Sequence, residues 1–476
     1  MVDNKTQIAV IGAGPGGYTA AFLAADKGMA VTLIDPSENP GGVCLYRGCI
    51  PSKALLHVAR LIHEADAAGA WGVSFGKPKI DIQQMRKWQS GVVGTLTGGL
   101  GRLANQRNIN YIRATAAFLD DRSLSLTNAD GTSDTLEFKH AILATGSRAE
   151  TLSLFPPDDD RIWNSKKALD LQTVPKTLLV VGGGYIGLEL GSVYAALGSQ
   201  VTVVEMLPHL LAGADRDLVR ILQKGLTKQF QAIRLNTRVT AAKIQKNGVR
   251  VTFQSGDEKP FSGLFQRVLV AVGRRPNTAR LGLEKAGLSV DETGFVPIDS
   301  QCRTPMETIF AIGDVAGQPM LAHKAAYEAR IAVEAISGKN VIADPAAIPA
   351  VVFTDPEVAW AGLTEDAARE KGLRVEVTRF PWAASGRAAT LGRGDGLTKL
   401  VIDAQTERLL GVGIVGPGAG ELIAEATLAL EMGANATDVA LTIHPHPTLS
   451  ETVKEAADLF HGTATHYYRP KKRKNA

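Results

Sequence analysis

Along the chain, short apolar runs alternate with stretches of helical length, and one such alternation occurs twice in nearly the same form. Residues 8–35 read IAVIGAGPGGYTAAFLAADKGMAVTLID. The run IAVIG has the length of a buried strand, a helix-length segment follows, and a second apolar run, VTLI, closes on Asp35. Residues 178–205, LLVVGGGYIGLELGSVYAALGSQVTVVE, repeat that order and close on Glu205. Each half then reaches a further apolar run, AILATG ending at Gly146 and VLVAVG ending at Gly273. Ahead of each lies a hairpin pattern, LSLTNADGTSDTLEF with the turn pair Asp130-Gly131 and KIQKNGVRVTF with Asn247-Gly248. Strands separated by helices predict an α/β protein with two Rossmann-like dinucleotide-binding units. IFAIGDV, residues 309–315, predicts one more short strand, ending in Asp314. From about residue 349 the pattern changes. FTDPEVAWAGL, LTKLVIDAQTERLLGVGIVG and ELIAEATLALEMG predict an antiparallel sheet with helices, a C-terminal α+β unit.

The turns between first strand and helix carry the chemistry of the repeat. Gly12, Gly14 and Gly17 stand in GxGxxG spacing, and Gly182, Gly184 and Gly187 repeat it. The first glycine permits a tight turn, the second lets the backbone approach a pyrophosphate, and the third lets helix and strand pack closely. The helix N-terminus then offers free N–H groups to the phosphates. An acid about 20 positions on can accept a ribose hydroxyl, and Asp35 and Glu205 are so placed. Glu205 would repel a 2′-phosphate, so the second site reads as an NAD site.

The two halves differ in length. Gly12 to Gly146 spans 134 positions and Gly182 to Gly273 spans 91, so the first half carries 43 more. That surplus holds GGVCLYRGCIPSK, residues 41–53, with Cys44 and Cys49, two of the chain's three cysteines. Three cysteines cannot frame a chain of 476 residues with disulfides. A zinc site lacks further ligands at metal spacing nearby, so no metal is expected. Two readings of the pair remain, inert buried thiols and a redox pair. The flanking glycines and Pro51 favour the redox pair, because they suit a tight loop and a helix starting near Cys49, whose dipole would lower a thiol pKa. A dithiol beside one dinucleotide and NAD at the other calls for a two-electron mediator, and a flavin at the first fingerprint meets that need.

Bulk properties exclude other classes. The net charge of +4, from 52 basic and 48 acidic residues, does not suggest nucleic acid as the partner. The C-terminal RPKKRKNA reads as a solvated basic tail. No apolar run reaches the about 18 residues of a membrane span, and the N-terminus lacks the pattern of a secretory signal. The expected compartment is the cytoplasm.

GGVCLYRGCIPSK resembles the active-site signature of the class I pyridine nucleotide–disulfide oxidoreductases. IGAGPGGYTAA, GCIPSKALLH, ATGS, GGGYIGLE, AVGRRPN, FAIGDVAGQPMLAHKA, FPWAASGRA and HPHPTLSE extend the likeness along nearly the whole chain, closest to the branch that oxidises dihydrolipoyl groups. The resemblance implies FAD at the first site, NAD at the second, and a homodimer with each active site built from both chains. It implies an FAD-binding domain over 1–150, an NAD-binding domain over 151–279, a central domain over 280–348 and a C-terminal interface domain over 349–476.

Residue roles carry over with it. Cys44 would be the interchange thiol, exchanging with substrate, and Cys49 the thiol nearer the flavin. Lys53 would lie by the flavin and pair with Glu189, which is counted with the NAD side. Asp314 would bind the ribityl chain, and Ala116, Thr145, Gly146 and Ala322 would contact the same cofactor. Tyr185 and Ile186 would lie at the nicotinamide, and Val239, Ala271, Gly273 and Arg274 would line the NAD site. His446 would be the base, oriented by Glu451, while His444 is passed over. The implied activity is NAD-linked reoxidation of dihydrolipoyl groups, with lipoyl domains and the acyltransferase carrier subunit of 2-oxo acid dehydrogenase complexes as partners, and the glycine cleavage system lipoyl protein as another. The rival on the same scaffold is an NAD(P)H-dependent reductase of a different disulfide. Asp35 in place of glutamate, Tyr46-Arg47 in the cysteine loop, and Pro445 depart from the family pattern.

Overall fold

The computed structural model describes residues 4–468, so the basic tail lies outside the described residues. The first repeat folds as expected. Lys5–Ile11 lies between Val31–Ile34 and Ser133–Leu143, parallel to both, with Ile8 facing Val31 on one side and His140 on the other. Asn110–Ile112 extends the sheet beyond Val31–Ile34, and Ile309–Ala311 adds a parallel strand against Ala141 to Leu143. All four positions of VTLI are buried, as a strand covered on both faces requires. Asp314 lies past this last strand, on the short 3-10 turn Gly313–Val315.

The second repeat is a five-stranded parallel sheet in the order Ala232–Arg234, Gln200–Val204, Thr177–Val181, Arg267–Val270, Ile162–Trp163. In both repeats the third fingerprint glycine is dictated by contact. A Cβ on Gly17 would stand 1.8 Å from the Gly12 carbonyl oxygen, and one on Gly187 would stand 2.3 Å from that of Gly182. No side chain larger than hydrogen fits where helix and strand cross this closely.

Both hairpins form. Ser123–Asn128 pairs with Ser133–Leu143 around Gly131, whose φ is +85°. The second differs by one residue from the expected turn pair. Gln245 pairs with Gly248, so Lys246 and Asn247 make the turn and Gly248 opens the return strand. Gly248 is needed there because a Cβ would lie 2.4 Å from the Phe265 carbonyl oxygen of the neighbouring strand.

Beyond residue 349 the expected antiparallel sheet is present, in the order Ala350–Val352, Val358–Gly362, Leu409–Val415, Leu397–Asp403, Val375–Pro381. Helices Ala419–Glu431 and Glu451–His461 cover it. Trp382 fills the space beneath, fully buried, and its indole N–H donates to Thr398 Oγ1 at 2.9 Å. A buried charge cluster ties this sheet to the second repeat. Lys399, 1% exposed, reaches Asp215, Asp217 and Glu365 at 3.2, 3.0 and 2.9 Å.

Candidate active site

A cleft of about 660 Å³ opens where the strands of the first sheet end. Gly12, Asp35, Thr145, Gly146 and Asp314 line it because each follows the C-terminal end of a strand, the place where an α/β sheet binds ligands. Gly14, Ala116 and Ala322 line it too, while Gly17 is buried in the packing behind. The helix Pro15–Asp26 starts from Gly14 with no side-chain cap, as does Tyr185–Ala196 from Gly184. Five other helices do carry a side-chain cap, from Asp81, Asn164, Thr364, Ser385 and Asn435. The first-turn amides of the two fingerprint helices are therefore left for a ligand. Gly42, φ +59°, crosses Gly14 so closely that a Cβ there would lie 2.5 Å from the Gly14 Cα. Only bare backbone can close this end of the cradle. These features fit an extended pyrophosphate-linked dinucleotide such as FAD.

The two strand-end acids act alike. Asp35 Oδ2 accepts the Ala13 amide at 2.9 Å, and Glu205 Oε2 accepts the Gly183 amide at 2.7 Å. Each thus holds its fingerprint loop. Around the second fingerprint, Gly184 faces open space, and Gly182 backs onto the Ala271 carbonyl. Gly273 accepts the Glu150 amide. Val239 packs on the core beneath the second sheet. These residues, with Glu205 and Gly187, gather around the second sheet and do not line the first cleft.

The cysteines lie in the cleft wall. Cys44 is on the short helix Gly42–Arg47, and Cys49 begins the helix Cys49–Ala67. Tyr46 accounts for one family departure, since its hydroxyl donates to the Asn39 carbonyl at 3.0 Å and braces the approaching loop. Both sulfurs are thiols in this structure. A hydrogen bond from Cys44 lowers the Cys49 thiol to about 7, against burial, and Lys53 adds to that effect while Glu189 opposes it. The same hydrogen bond, together with burial, pushes Cys44 far above the ordinary thiol range. The dithiol therefore holds its negative charge on Cys49, at a helix N-terminus and one turn from a lysine.

Lys53 Nζ donates to Glu189 Oε2 and Oε1 at 2.8 and 3.0 Å. The Glu189 side chain is 4% exposed, and its Oε1 also accepts the Phe353 amide at 3.0 Å. The Phe353 ring lies 4.4 Å from Lys53 Nζ. Phe353 was not anticipated, because nothing in its local sequence reports a partner 164 positions away. Tyr185, Ile186 and Arg274, expected at the nicotinamide, line this same first cleft. Arg274 donates to Ser147 Oγ and O at 2.7 and 2.8 Å, and Ser147 in turn donates to Asp314. The amide of Asn277 Nδ2 donates to the Thr145 carbonyl at 3.0 Å, a second brace absent from the sequence reading.

His446 and Glu451 are not in the cleft wall. His446 Nδ1 meets Glu451 Oε1 at 2.9 Å, and Glu451 Oε2 accepts the Thr448 amide at 2.8 Å. Burial would raise the Glu451 carboxyl, but the Thr448 amide and His446 outweigh it and hold it below its ordinary value. The His446 side chain is 73% exposed, leaving Nε2 outward. His444 is the opposite case: 4% exposed, with Nε2 on Glu425 at 2.6 Å and Nδ1 on the Thr442 carbonyl at 2.9 Å. Beside them Leu428, Met432, Leu441 and Ile443 are exposed. No group of three or more candidate metal ligands occurs among the described residues.

Comparison with known proteins gives the frame for this geometry. Residues 6–329 match the pyridine nucleotide-disulphide oxidoreductase family, and residues 348–457 match its dimerisation domain. The dihydrolipoyl dehydrogenase of Vibrio parahaemolyticus is 47% identical over 463 residues, 97% of each chain. That of Thermus scotoductus is 46% identical, covering 96% of this chain and 98% of its own. Among solved structures, LpdA of Mycobacterium tuberculosis superposes with a TM-score of 0.88 at 28% identity, covering 96% of this chain and 99% of its own. The HOCl-induced flavoprotein disulfide reductase RclA of Escherichia coli gives 0.84, also at 28% identity, covering 95% and 99%. Sequence along almost the full length and fold thus agree, and the chain belongs to the pyridine nucleotide-disulphide oxidoreductase family.

Proposed function

We propose that this chain is a dihydrolipoyl dehydrogenase, oxidising protein-bound dihydrolipoyl groups with NAD. FAD and NAD are the cofactors of its family. The observation that carries the reading is the polarised dithiol, Cys49 low and Cys44 high, in a cleft shaped for a dinucleotide. Gly12, Gly14, Asp35, Ala116, Thr145, Gly146, Asp314 and Ala322 would hold FAD, with Lys53 beside it. Gly182, Gly184, Tyr185, Ile186, Gly187, Glu205, Val239, Ala271, Gly273 and Arg274 would serve NAD. When bound, the flavin supplies the two-electron acceptor between the dithiol and the nicotinamide.

The chain's own residues account for the sulfur chemistry. His446 Nε2 takes the proton of one substrate thiol, because Glu451 holds Nδ1 and fixes the tautomer. The substrate thiolate attacks Cys44 Sγ of the oxidised pair. The Cys44–Cys49 bond breaks, and Cys49 leaves as a thiolate stabilised by Lys53 and the helix N-terminus. The second substrate thiol displaces Cys44, closing the cyclic disulfide and leaving the pair reduced by two electrons. His446 lies outside its own chain's cleft, within the dimerisation segment and next to exposed apolar residues. This supports a homodimer in which it serves the cleft of the other protomer. Lipoyl domains, the acyltransferase carrier of 2-oxo acid dehydrogenase complexes and the glycine cleavage lipoyl protein would be the partners, and the cytoplasm the compartment. No helix among the described residues is long and apolar enough to cross a membrane. The domain division at 150, 279 and 348 is proposed with this reading.

The test is anaerobic NAD reduction with dihydrolipoamide. Wild type should turn over, Cys44→Ser and Cys49→Ser should lose the reaction, and His446→Gln should fall by about 10²–10⁴-fold, the range for a general base. Full-rate oxidation by Cys44→Ser would overturn the mechanism.

A further inference from the structure

A second cavity, of about 310 Å³, lies at the opposite end of the second sheet from the fingerprint. Arg267 opens its strand there, whereas Gly182 follows the far end of Thr177–Val181, the adjacent strand. The two places are separated by a strand length, roughly 15 Å. The cavity is walled by the hairpin turn Lys246-Asn247, by Gln266 and Arg267, and by Arg161 and Thr173. No carboxylate lines it.

The charges in this wall are unequal in their commitments. Arg161 is neutralised, since Nε and Nη2 donate to Asp159 at 2.8 and 2.7 Å, and Nη1 donates to the Gln245 carbonyl at 2.6 Å. Arg267 is not. Its Nη1 donates to the Gln266 carbonyl at 2.9 Å, its Nε is buried with no acceptor, and its guanidinium lies over the Trp163 ring at 5.8 Å. Lys246 forms no ion pair among the described residues. Gln266 Oε1 is held by the Lys176 amide at 2.7 Å, which leaves its NH₂ to donate. Two uncompensated cations and several free donors thus surround a cavity without a carboxylate.

We propose that this cavity binds a phosphate group, as free phosphate or as a small phosphomonoester, at a site separate from both dinucleotide sites. A dianion with several acceptor oxygens matches the wall in charge and in donor number, and arginine suits tetrahedral oxyanions through its planar fork. The site has a built-in reporter. Trp163 lies under Arg267 and packs on Tyr194, 5.3 Å between ring centroids.

The experiment uses the holoenzyme with saturating NAD, so that both dinucleotide sites are filled. Inorganic phosphate and glycerol phosphate are titrated in separate arms, each against potassium chloride at equal ionic strength, by tryptophan emission and calorimetry. Saturable binding of either, absent with chloride, is expected, and the arm that saturates identifies the source. Lys246→Ala, on an exposed turn, should weaken it roughly tenfold, the effect of losing one good ionic contact. The double variant Lys246→Ala/Arg267→Gln should abolish it while keeping wild-type flavin absorbance. Trp163→Phe should remove the emission change and keep the calorimetric one. No saturation in either arm, or affinity unchanged in Lys246→Ala and in the double variant, would overturn the proposal.

Discussion

Replacing Lys399 by methionine tests how the C-terminal sheet is held against the second repeat. Lys399 Nζ lies 2.9–3.2 Å from three carboxylates, Asp215, Asp217 and Glu365, and its side chain is 1% exposed. Arg379 shares two of them, meeting Asp217 at 2.6 Å and Glu365 closer still. At about 3 Å and an effective dielectric of about 20, each contact attracts by roughly 5 kcal/mol. Dehydrating the ions and holding three carboxylates together cancels much of that gross attraction. Methionine keeps the stem's volume but leaves Asp215 with no cation, Asp217 with Arg379, and Glu365 with Arg379 and Arg369. The expected loss is about 3–5 kcal/mol, the cost of breaking a buried pair from one side. The loss should depend on pH. Burial already raises the Asp215 carboxyl, with Lys399 and a hydrogen bond from it opposing. Without Lys399 the folded-state pKa rises further above the unfolded value. A carboxyl raised on folding destabilises above its folded pKa, and that penalty disappears as pH falls through it. The gap between variant and wild type should therefore be largest at neutral pH and narrow on acidification. Urea unfolding of the holoprotein, compared across pH, is the measurement. Lys399→Met/Glu365→Gln should recover a large part of the loss. A single variant within about 1 kcal/mol of wild type at neutral pH would refute the electrostatic account, since only exposed ion pairs are worth so little. So would a double variant as unstable as the single one.

Three further outcomes follow from the same geometry. The Cys44 hydrogen bond does most to lower the Cys49 thiol to about 7 and Lys53 adds to it, so in Lys53→Met the thiolate absorbance of the reduced apoprotein should appear at higher pH; an unmoved midpoint would contradict the assignment. Glu205→Gln removes the negative charge that would face a 2′-phosphate, and should narrow the preference for NAD over NADP by about tenfold or more, measured as a ratio of kcat/KM; an unchanged ratio would place selection elsewhere. Gly42→Ala sets a Cβ 2.5 Å from the Gly14 Cα, so the purified protein should carry much less flavin by its visible absorbance; full flavin content would show that the crossing can yield.

The parts of the fold that were legible are those governed by neighbours along the chain. VTLI reads as a buried strand because all four positions are apolar, and the third fingerprint glycine is needed because Gly17 meets Gly12, five residues away. The hairpin at Lys246-Asn247 was found but shifted by one, since Gly248 answers to Phe265 on another strand and not to the turn alone. In the active site the cysteines, Lys53, His446 and Glu451 were nameable from motifs. Choosing His446 over His444 rested on resemblance, and the structure supplies a physical difference, an outward ring against one bound at both nitrogens.

By itself the sequence determined two dinucleotide-binding βαβ units, a redox-type cysteine loop inserted in the first, and a different C-terminal sheet. These are written in spacings of two to about twenty residues, where backbone geometry constrains residue type directly. Only the tertiary structure decided that Glu189 and Phe353 close around Lys53, that Ser147 and Arg274 meet Asp314, and that Lys399 gathers three carboxylates from two regions of the chain. It alone also brought Lys246 and Arg267 to one cavity. Such contacts join residues scores of positions apart, set by how sheets pack on one another, and no local period records them.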